Sequence, residues 1–249
     1  MGSDEFRLRA TARARRVRTG DGKRSPWIRR VLAILFFLFV PAPIILILIF
    51  RFVPIPFAPE MSIPLVKGEG VHYRWVERSD IAPALSRAVI ASEDEDFCTH
   101  HGFDWNDIHK AIRAHERGGR LRGASTISQQ MARSLFLLPV RSWVRKGAEA
   151  YLTVLIEALW PKTRILTAYL NLVDWGHGNF GAEAAAQSYF RKPASALTSR
   201  EAARLAVILP DPDKWRAARP GPYVAARTGT ILARMSEVTR DGLDWCVKN

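Results

Sequence analysis

Apolar residues are distributed along this chain in two ways. From Val31 to Phe50, twenty residues run without a charge (VLAILFFLFVPAPIILILIF), whereas beyond residue 72 they recur at helical spacing between polar positions. The first pattern predicts one transmembrane helix, because twenty residues rising about 1.5 Å each cover the roughly 30 Å hydrocarbon core of a bilayer. Pro41 and Pro43 kink such a helix without forbidding it. The second pattern predicts a mainly α domain. One helix is expected from Ser79/Asp80 through Ala88-Val89-Ile90-Ala91. Another follows a capping pair, Asp104 with Asp107, carries Ile108, Ala111 and Ile112, and stops at Gly118-Gly119. Thr126 with Gln129 opens a third, bearing Ile127, Met131 and Leu135. Trp143 to Trp160 is the longest candidate, and further helices fit Lys162–Val173, Ala182–Phe190, Ser199–Leu209 and Tyr223–Val238. Thr198 with Glu201 caps one of these and Pro210 closes it. No alternating run is long enough for a sheet-based core, and no internal repeat is present.

Pro54, Pro56, Pro59 and Pro64 make residues 54–72 read as a stiff, extended stalk. The expected organisation is therefore a basic tail (1–30), a transmembrane helix (31–53), the stalk (54–72) and a catalytic domain (73–249). Charge adds an orientation. Residues 1–30 hold ten basic and three acidic side chains, +7 of a formal net charge of +13 over 249 residues. Arginine before the span and almost none just after it place the N-terminus in the cytoplasm and the domain outside, in the periplasm or its equivalent, on the cytoplasmic (inner) membrane. Residues 52–57 (Phe-Val-Pro-Ile-Pro-Phe) offer no small-x-small cleavage site, so the span is expected to stay as an anchor. Topology and anionic headgroups explain the basic tail, which removes nucleic acid as an expected partner. Cys98 and Cys246 lie in the exported part, where a disulfide is chemically allowed, yet their distance in sequence establishes none, and unpaired thiols are the expectation.

The acidic run Glu93-Asp94-Glu95-Asp96 breaks this basic chain where a helix should end. A helix C-terminus is partly negative, so each carboxylate there costs roughly a few tenths of a kcal/mol unless cations or a ligand offset it. Acids placed against local stability point to function. Three clusters then stand out: Glu93-Asp94 with Phe97, His100 and Gly102-Phe103-Asp104; Gly123-Ala124-Ser125-Thr126-Ile127-Ser128-Gln129-Gln130; and Arg145-Lys146 with Glu149. Each alone has a plain alternative: an acidic turn, a helix cap, an i,i+4 ion pair. Two other matches are set aside. Cys98 with His100, His101 and Asp104 lacks the second ligand cluster of a zinc site. Gly176-His177-Gly178-Asn179-Phe180-Gly181 fits the dinucleotide fingerprint but follows a segment of helical period, which makes it a glycine-rich turn.

In this order and combination, the three clusters resemble the glycosyltransferase family 51 domain of bacterial peptidoglycan synthases, specifically its monofunctional, membrane-anchored branch. The resemblance runs from about Val89 to Pro220. It includes Lys162-x-x-Ile165-Leu166-x-x-Tyr169-Leu170-Asn171, Gly181-x-Glu183-Ala184-Ala185-Ala186 with Tyr189-Phe190, and Leu197-Thr198-x-x-Glu201 with Leu209-Pro210. It implies a lysozyme-like helical domain with a smaller membrane-associated lobe. The implied activity polymerises lipid II, the polyprenyl-pyrophosphate-linked disaccharide-pentapeptide, into β-1,4 glycan strands and releases polyprenyl pyrophosphate. Lipid II, the growing strand, the membrane and other wall-synthesis proteins are the implied partners.

The chemistry stands on its own terms. A sugar hydroxyl is a weak nucleophile, so a carboxylate must take its proton as the bond forms; Glu93 matches the family's general base. A pyrophosphate leaving group needs charge neutralisation more than protonation. Arg133, Arg145 and Lys146 match family positions near the phosphates, and Glu149 matches the second carboxylate, which orients the cations or a divalent metal (magnesium or manganese) at the diphosphate. No other cofactor is implied. Asp94 and His100 match residues shaping the floor around the base, and Ser125, Thr126, Gln129 and Gln130 match the strip that binds donor sugar and phosphate. Departures fall at Arg133-Ser134, commonly Lys-Asn in the family, and at Thr167, where many members have Glu. Leu135-Phe136-Leu137-Leu138-Pro139-Val140 with Trp143 is read two ways, as core or as a segment dipping into the outer leaflet. A lytic transglycosylase or lysozyme-like hydrolase is the alternative enzyme, and it would need no phosphate clamp. A non-catalytic membrane-anchored scaffold is the alternative outside enzymes.

Overall fold

The computed structural model describes residues 26–119, 123–140 and 142–248. Most of the basic tail thus lies outside the described residues. The chain divides into two compact units, Met1–Pro41 and Ala42–Asn249. In the first unit, α1 (Pro26–Phe39) buries no residue. A turn at Val40, just before Pro41, separates it from α2 (Pro41–Phe50), because a proline ring supplies no N–H to the helical ladder. Pro26–Phe50 spans 25 residues and contains an 18-residue window of mean hydropathy 3.0, enough in length and composition to cross a bilayer.

The second unit is helical: α3 (Ser62–Val66), α4 (Pro83–Glu93), α5 (Trp105–Glu116), α6 (Ile127–Phe136), α7 (Trp143–Leu159), α8 (Lys162–Leu172), α9 (Ala182–Phe190), α10 (Ser199–Ile208) and α11 (Pro222–Arg240). Two helical layers share the core. α4 packs against α10 and α11, and α6 packs against α7 and α8. α8 is buried at every residue from Ile165 to Leu172, including Thr167 and Asn171. Both polar groups are satisfied. Asn171 accepts from the Val76 amide at 2.9 Å and donates to the Val76 and Thr167 carbonyls at 3.0 and 2.9 Å. Thr167 donates to the Thr163 carbonyl at 2.7 Å, so it needs no outside partner where relatives of the resembled family often carry Glu.

Element positions follow the sequence pattern except where proline or tertiary contact intervenes. The helix expected from Ser79/Asp80 begins instead at Pro83, after a 3-10 turn at Arg78–Asp80. Pro83 favours extended backbone at Ala82 and itself suits the first helical position. α11, at 19 residues, exceeds the 17 of α7, contrary to the expectation from periodicity. The expected stalk is corrected outright. Pro59–Met61 form a 3-10 turn that runs into α3, and Ile55, Ala58, Met61 and Pro64 are buried in the common core. The apolar residues between the prolines remove more surface from water by packing than by spanning solvent.

The end of α2 and the residues just after it are tied down by side chains that donate to main-chain carbonyls. Trp160 Nε1 donates to Ile47 O at 2.7 Å, Arg164 Nε to Phe50 O at 2.8 Å, and the same guanidinium reaches Val53 O. The glycine-rich segment is indeed a turn, but it also carries the second of two short strands. β1 (His72–Tyr73) pairs in parallel with β2 (Asn179–Phe180), His72 opposite Asn179. Gly178 has φ +74°, and a Cβ there would lie 2.1 Å from the Gly70 carbonyl oxygen, so backbone approach dictates this glycine.

The expectation of unpaired cysteines is also overturned. Cys98 and Cys246 form a disulfide across 148 residues, with Cα atoms 5.5 Å apart. It joins the loop after α4 to the C-terminal 3-10 turn at Trp245–Val247, a proximity that only the packing of α11 against α4 creates. Replacing both cysteines by serine should lower unfolding free energy by about 2–4 kcal/mol. Denaturant titration with and without reductant checks this, and reductant should affect the wild type alone.

Candidate active site

Glu93 is the last residue of α4, and Asp94 is its C-cap. The two carboxylates diverge. Asp94 is 7 % exposed and makes two contacts: Oδ1 lies 2.8 Å from His100 Nε2, and Oδ2 accepts from the Ile127 amide at 2.8 Å. Ile127 is the first residue of α6, so the carboxylate meets the positive end of that helix. His100 Nδ1 accepts from the Gly102 amide at 3.1 Å, which leaves Nε2 to carry the proton donated to Asp94. Thr126 caps α6 and donates to the Gly102 carbonyl at 2.7 Å, while Gln129 completes the capping box through the Thr126 amide at 3.1 Å. Thr126 and Gln129 are 3 % and 5 % exposed. Expected in a substrate-binding strip, they instead spend these groups on holding the helix start.

Glu93 is half-buried. Its Oε2 accepts from Gln130 Nε2 at 3.0 Å, one turn into α6. Burial pushes the Glu93 carboxyl above its ordinary value and Asp94 adds to this, while the Gln130 hydrogen bond, Arg133 and Arg227 oppose it. Glu95 is solvated as expected, 4.0 Å from Arg234 and 43 % exposed at the side chain.

The second group of residues sits at the start of α7, capped by Ser142. Arg145 and Lys146 occupy its first turn, the wrong helix end for cations. Glu149, 1 % exposed, offsets them by accepting from Arg145 Nη1 at 2.9 Å with one oxygen and from Lys146 Nζ with the other. Lys146 Nζ also lies 3.4 Å from Ser125 Oγ, linking this group to the segment before α6. Arg145 Nε is buried and has no hydrogen-bond partner among the described residues. An unsatisfied guanidinium N–H between committed neighbours suits an anionic ligand.

Arg133 takes part in a contact that periodicity did not reveal. Glu60, from the segment misread as a stalk, lies 3.9 Å from Arg133 Nε and accepts from Ser134 Oγ at 3.3 Å. The Arg133-Ser134 departure is thus matched by a carboxylate touching both side chains. Gln130, Arg133, Glu60 and Asp174 line a cavity of about 270 Å³. Burial raises the carboxyl pKa values of both Glu60 and Asp174. A lone charge inside a proline-rich apolar segment was the one available signal for Glu60.

The apolar stretch after α6 divides between its two readings. Leu135 is core and Phe136 and Leu137 are partly buried against it, whereas Leu138, Val140, Trp143 and Val144 are 52 %, 61 %, 92 % and 85 % exposed.

Residues 62–236 match the family model described as transglycosylase. The chain belongs to that family. Its similar relatives include biosynthetic peptidoglycan transglycosylases of Rhodospirillum centenum, 53 % identical over 77 % of this chain and 84 % of the relative, and of Caulobacter vibrioides, 49 % identical over 88 % and 96 %. That of Xanthomonas axonopodis pv. citri is 44 % identical over 93 % and 94 %. Transglycosylase membership carries the lysozyme-like helical fold, in agreement with the helical layers described above.

Because the Glu93 carboxyl is raised above 4.5 in the folded protein, ionising it opposes folding once pH exceeds its ordinary range. Glu93→Gln should therefore raise Tm at pH 7, and the gain should vanish as pH falls below about 4.5, where the folded and unfolded groups are both protonated. Thermal denaturation across pH checks this.

Proposed function

We propose that this chain polymerises lipid II into β-1,4 glycan strands, with Glu93 as general base and Arg145, Lys146 and Arg133 as the clamp on the departing pyrophosphate. Glycosyl transfer in peptidoglycan synthesis follows from family membership; the precursor and the residue roles are this proposal. The observation that carries it is the separation of tasks: one raised, half-buried carboxylate on α4, and a distinct cation pair on α7 held by Glu149.

Glu93 takes the proton of the acceptor sugar hydroxyl as its oxygen bonds to the anomeric carbon of the donor. The bond from that carbon to the phosphate oxygen breaks on the opposite face, so configuration inverts, and the electron pair leaves with the polyprenyl pyrophosphate. Its negative charge meets Arg145 and Lys146, already positioned, so little reorganisation is required as charge develops. Ser125, touching Lys146, and Gln130, touching Glu93, bracket the sugar and phosphate between the two groups. Asp94, His100, Thr126 and Gln129 hold the base and the start of α6 in place. A hydrolase that uses two carboxylates as acid and base is disfavoured, since Glu149 accepts from two cations and serves to stabilise charge.

The donor set does not favour a resident metal. Both Glu149 oxygens already receive cations, and among the described residues no three His, Cys, Asp or Glu gather as ligands. A divalent ion, magnesium or manganese, fits this reading as a companion of the diphosphate substrate, and no step is routed through it.

The helix Pro26–Phe50 is proposed as a single-pass anchor in the cytoplasmic membrane, N-terminus inside and domain outside. The Cys98–Cys246 disulfide supports export. Exposed Leu138, Val140, Trp143 and Val144 are proposed to meet the outer leaflet beside the clamp, where the lipid tail of the substrate enters.

Polymerisation of radiolabelled lipid II by the full-length chain tests the central reading. Glu93→Gln should lower kcat by at least about 100-fold, and Glu149→Gln should lower it by a comparable factor by releasing the two cations; cleavage of finished glycan without polymerisation would sink the proposal. In vesicles, Leu138→Glu combined with Trp143→Glu should slow turnover of the long-chain precursor by about tenfold, while turnover of a short, water-soluble precursor stays at the wild-type rate.

A further inference from the structure

The hydrogen bond that holds Glu93 is itself held. Gln130 Nε2 donates to Glu93 Oε2 at 3.0 Å, while the Tyr169 hydroxyl donates to Gln130 Oε1 at 3.1 Å. An ionised carboxylate only accepts, so the Gln130 amide serves Glu93 only when its NH2 end faces that way. Its oxygen end then requires a donor. Tyr169, on α8 and 1 % exposed, supplies one from inside the core. The second N–H of Gln130 points to the Ser125 carbonyl at 3.4 Å, so both ends of the amide are engaged. Flipping the amide would set oxygen against the carboxylate and NH2 against a phenol already oriented as a donor.

We infer that Tyr169 is a positioning residue for glycosyl transfer: it fixes the orientation of Gln130, and through it the aim and ionisation of Glu93. This rests on the reading of Glu93 as the base. A buried tyrosine in a core helix has a purely packing role as its plain alternative, and packing accounts for the ring. It does not account for a hydroxyl directed at the one amide that contacts the base. Burial, with Glu93 adding to it, keeps the phenol well above its ordinary pKa, so it remains a donor throughout the working range.

The charged groups around Glu93 are Asp94 beside it, Arg133 from α6 and Arg227 from α11, with Tyr169 from α8. Removing the phenolic hydroxyl leaves the first three in place. It frees the Gln130 amide and weakens the hydrogen bond that lowers the Glu93 pKa. The base then ionises at higher pH, and the acid limb of the kcat profile moves upward.

The test measures polymerisation of the lipid-linked disaccharide precursor by the full-length chain as a function of pH, for wild type, Tyr169→Phe, Gln130→Met, the double variant and Glu93→Gln. Tyr169→Phe should lower kcat by about tenfold, the worth of one well-placed hydrogen bond, and leave KM within about twofold. Its acid limb should move to higher pH. Gln130→Met, which leaves the buried ring intact, should produce the same upward movement even if Tyr169→Phe folds poorly. In the double variant the tyrosine change should cost nothing beyond Gln130→Met. Additive losses, or an acid limb unmoved in both single variants with Glu93→Gln inactive, would overturn the inference alone. A Glu93→Gln variant that polymerises at the wild-type rate would overturn the reading of the base, and the inference with it.

Discussion

Asp94 holds the site together. Its carboxylate receives the first amide of α6 and the ring of His100, so one buried side chain joins the end of one helix, the loop that follows and the start of another. Near a helix N-terminus, in a partly desolvated setting, such a contact contributes about 1–2 kcal/mol, several times its worth on a surface. It also sets geometry. Glu93 is the preceding residue, and Gln130 and Arg133 lie on the helix whose first amide Asp94 receives, so the distance from the proposed base to the Gln130 amide is determined by the same contact. Around it, Glu157 accepts from Lys162 Nζ at 2.7 Å and from Ser128, and the Lys162 ammonium lies 4.5 Å from the centre of the Phe97 ring. The loop after α4 is thereby tied at Phe97 to α8.

The two charged groups of the candidate site sit against their helix dipoles in opposite senses. Acid ends α4, and Arg145 and Lys146 begin α7. Neither placement is favoured by the helix end it occupies, and each is offset by a partner: the start of α6 for Asp94, and Glu149 one turn on in the same helix for the cations. Glu93 has an uncharged amide as its hydrogen-bonded neighbour. That fits the general-base role proposed for it, which requires a change of protonation state.

The helices were legible because their signals are local. Thr126 with Gln129 and Thr198 with Glu201 form the capping boxes their spacing announces, and Gly118-Gly119 ends α5 with the amide-to-carbonyl bonds a glycine stop provides. The departures have non-local causes. Residues 54–66 looked extended because proline dominates local propensity, yet Ile55, Ala58 and Met61 found a core surface that no local rule contains. Cys98 and Cys246 meet only because α11 returns along α4. Glu60 joined the site for the same reason, carried to Arg133 and Ser134 by that misread segment.

The sequence by itself determined the apolar span and its charge asymmetry, the helical class of the domain, and the three clusters of reactive residue types, since each depends on composition or on residues within a few positions. Tertiary structure alone decided what each reactive side chain does there. Asp94, Thr126 and Gln129 became supports, while Glu93 and Gln130 became a hydrogen-bonded pair and Tyr169 a donor to that pair. The reason is physical. A hydrogen bond needs atoms about 3 Å apart with donor and acceptor in order, and between residues 37 or 39 positions apart only packing of the helices sets that distance.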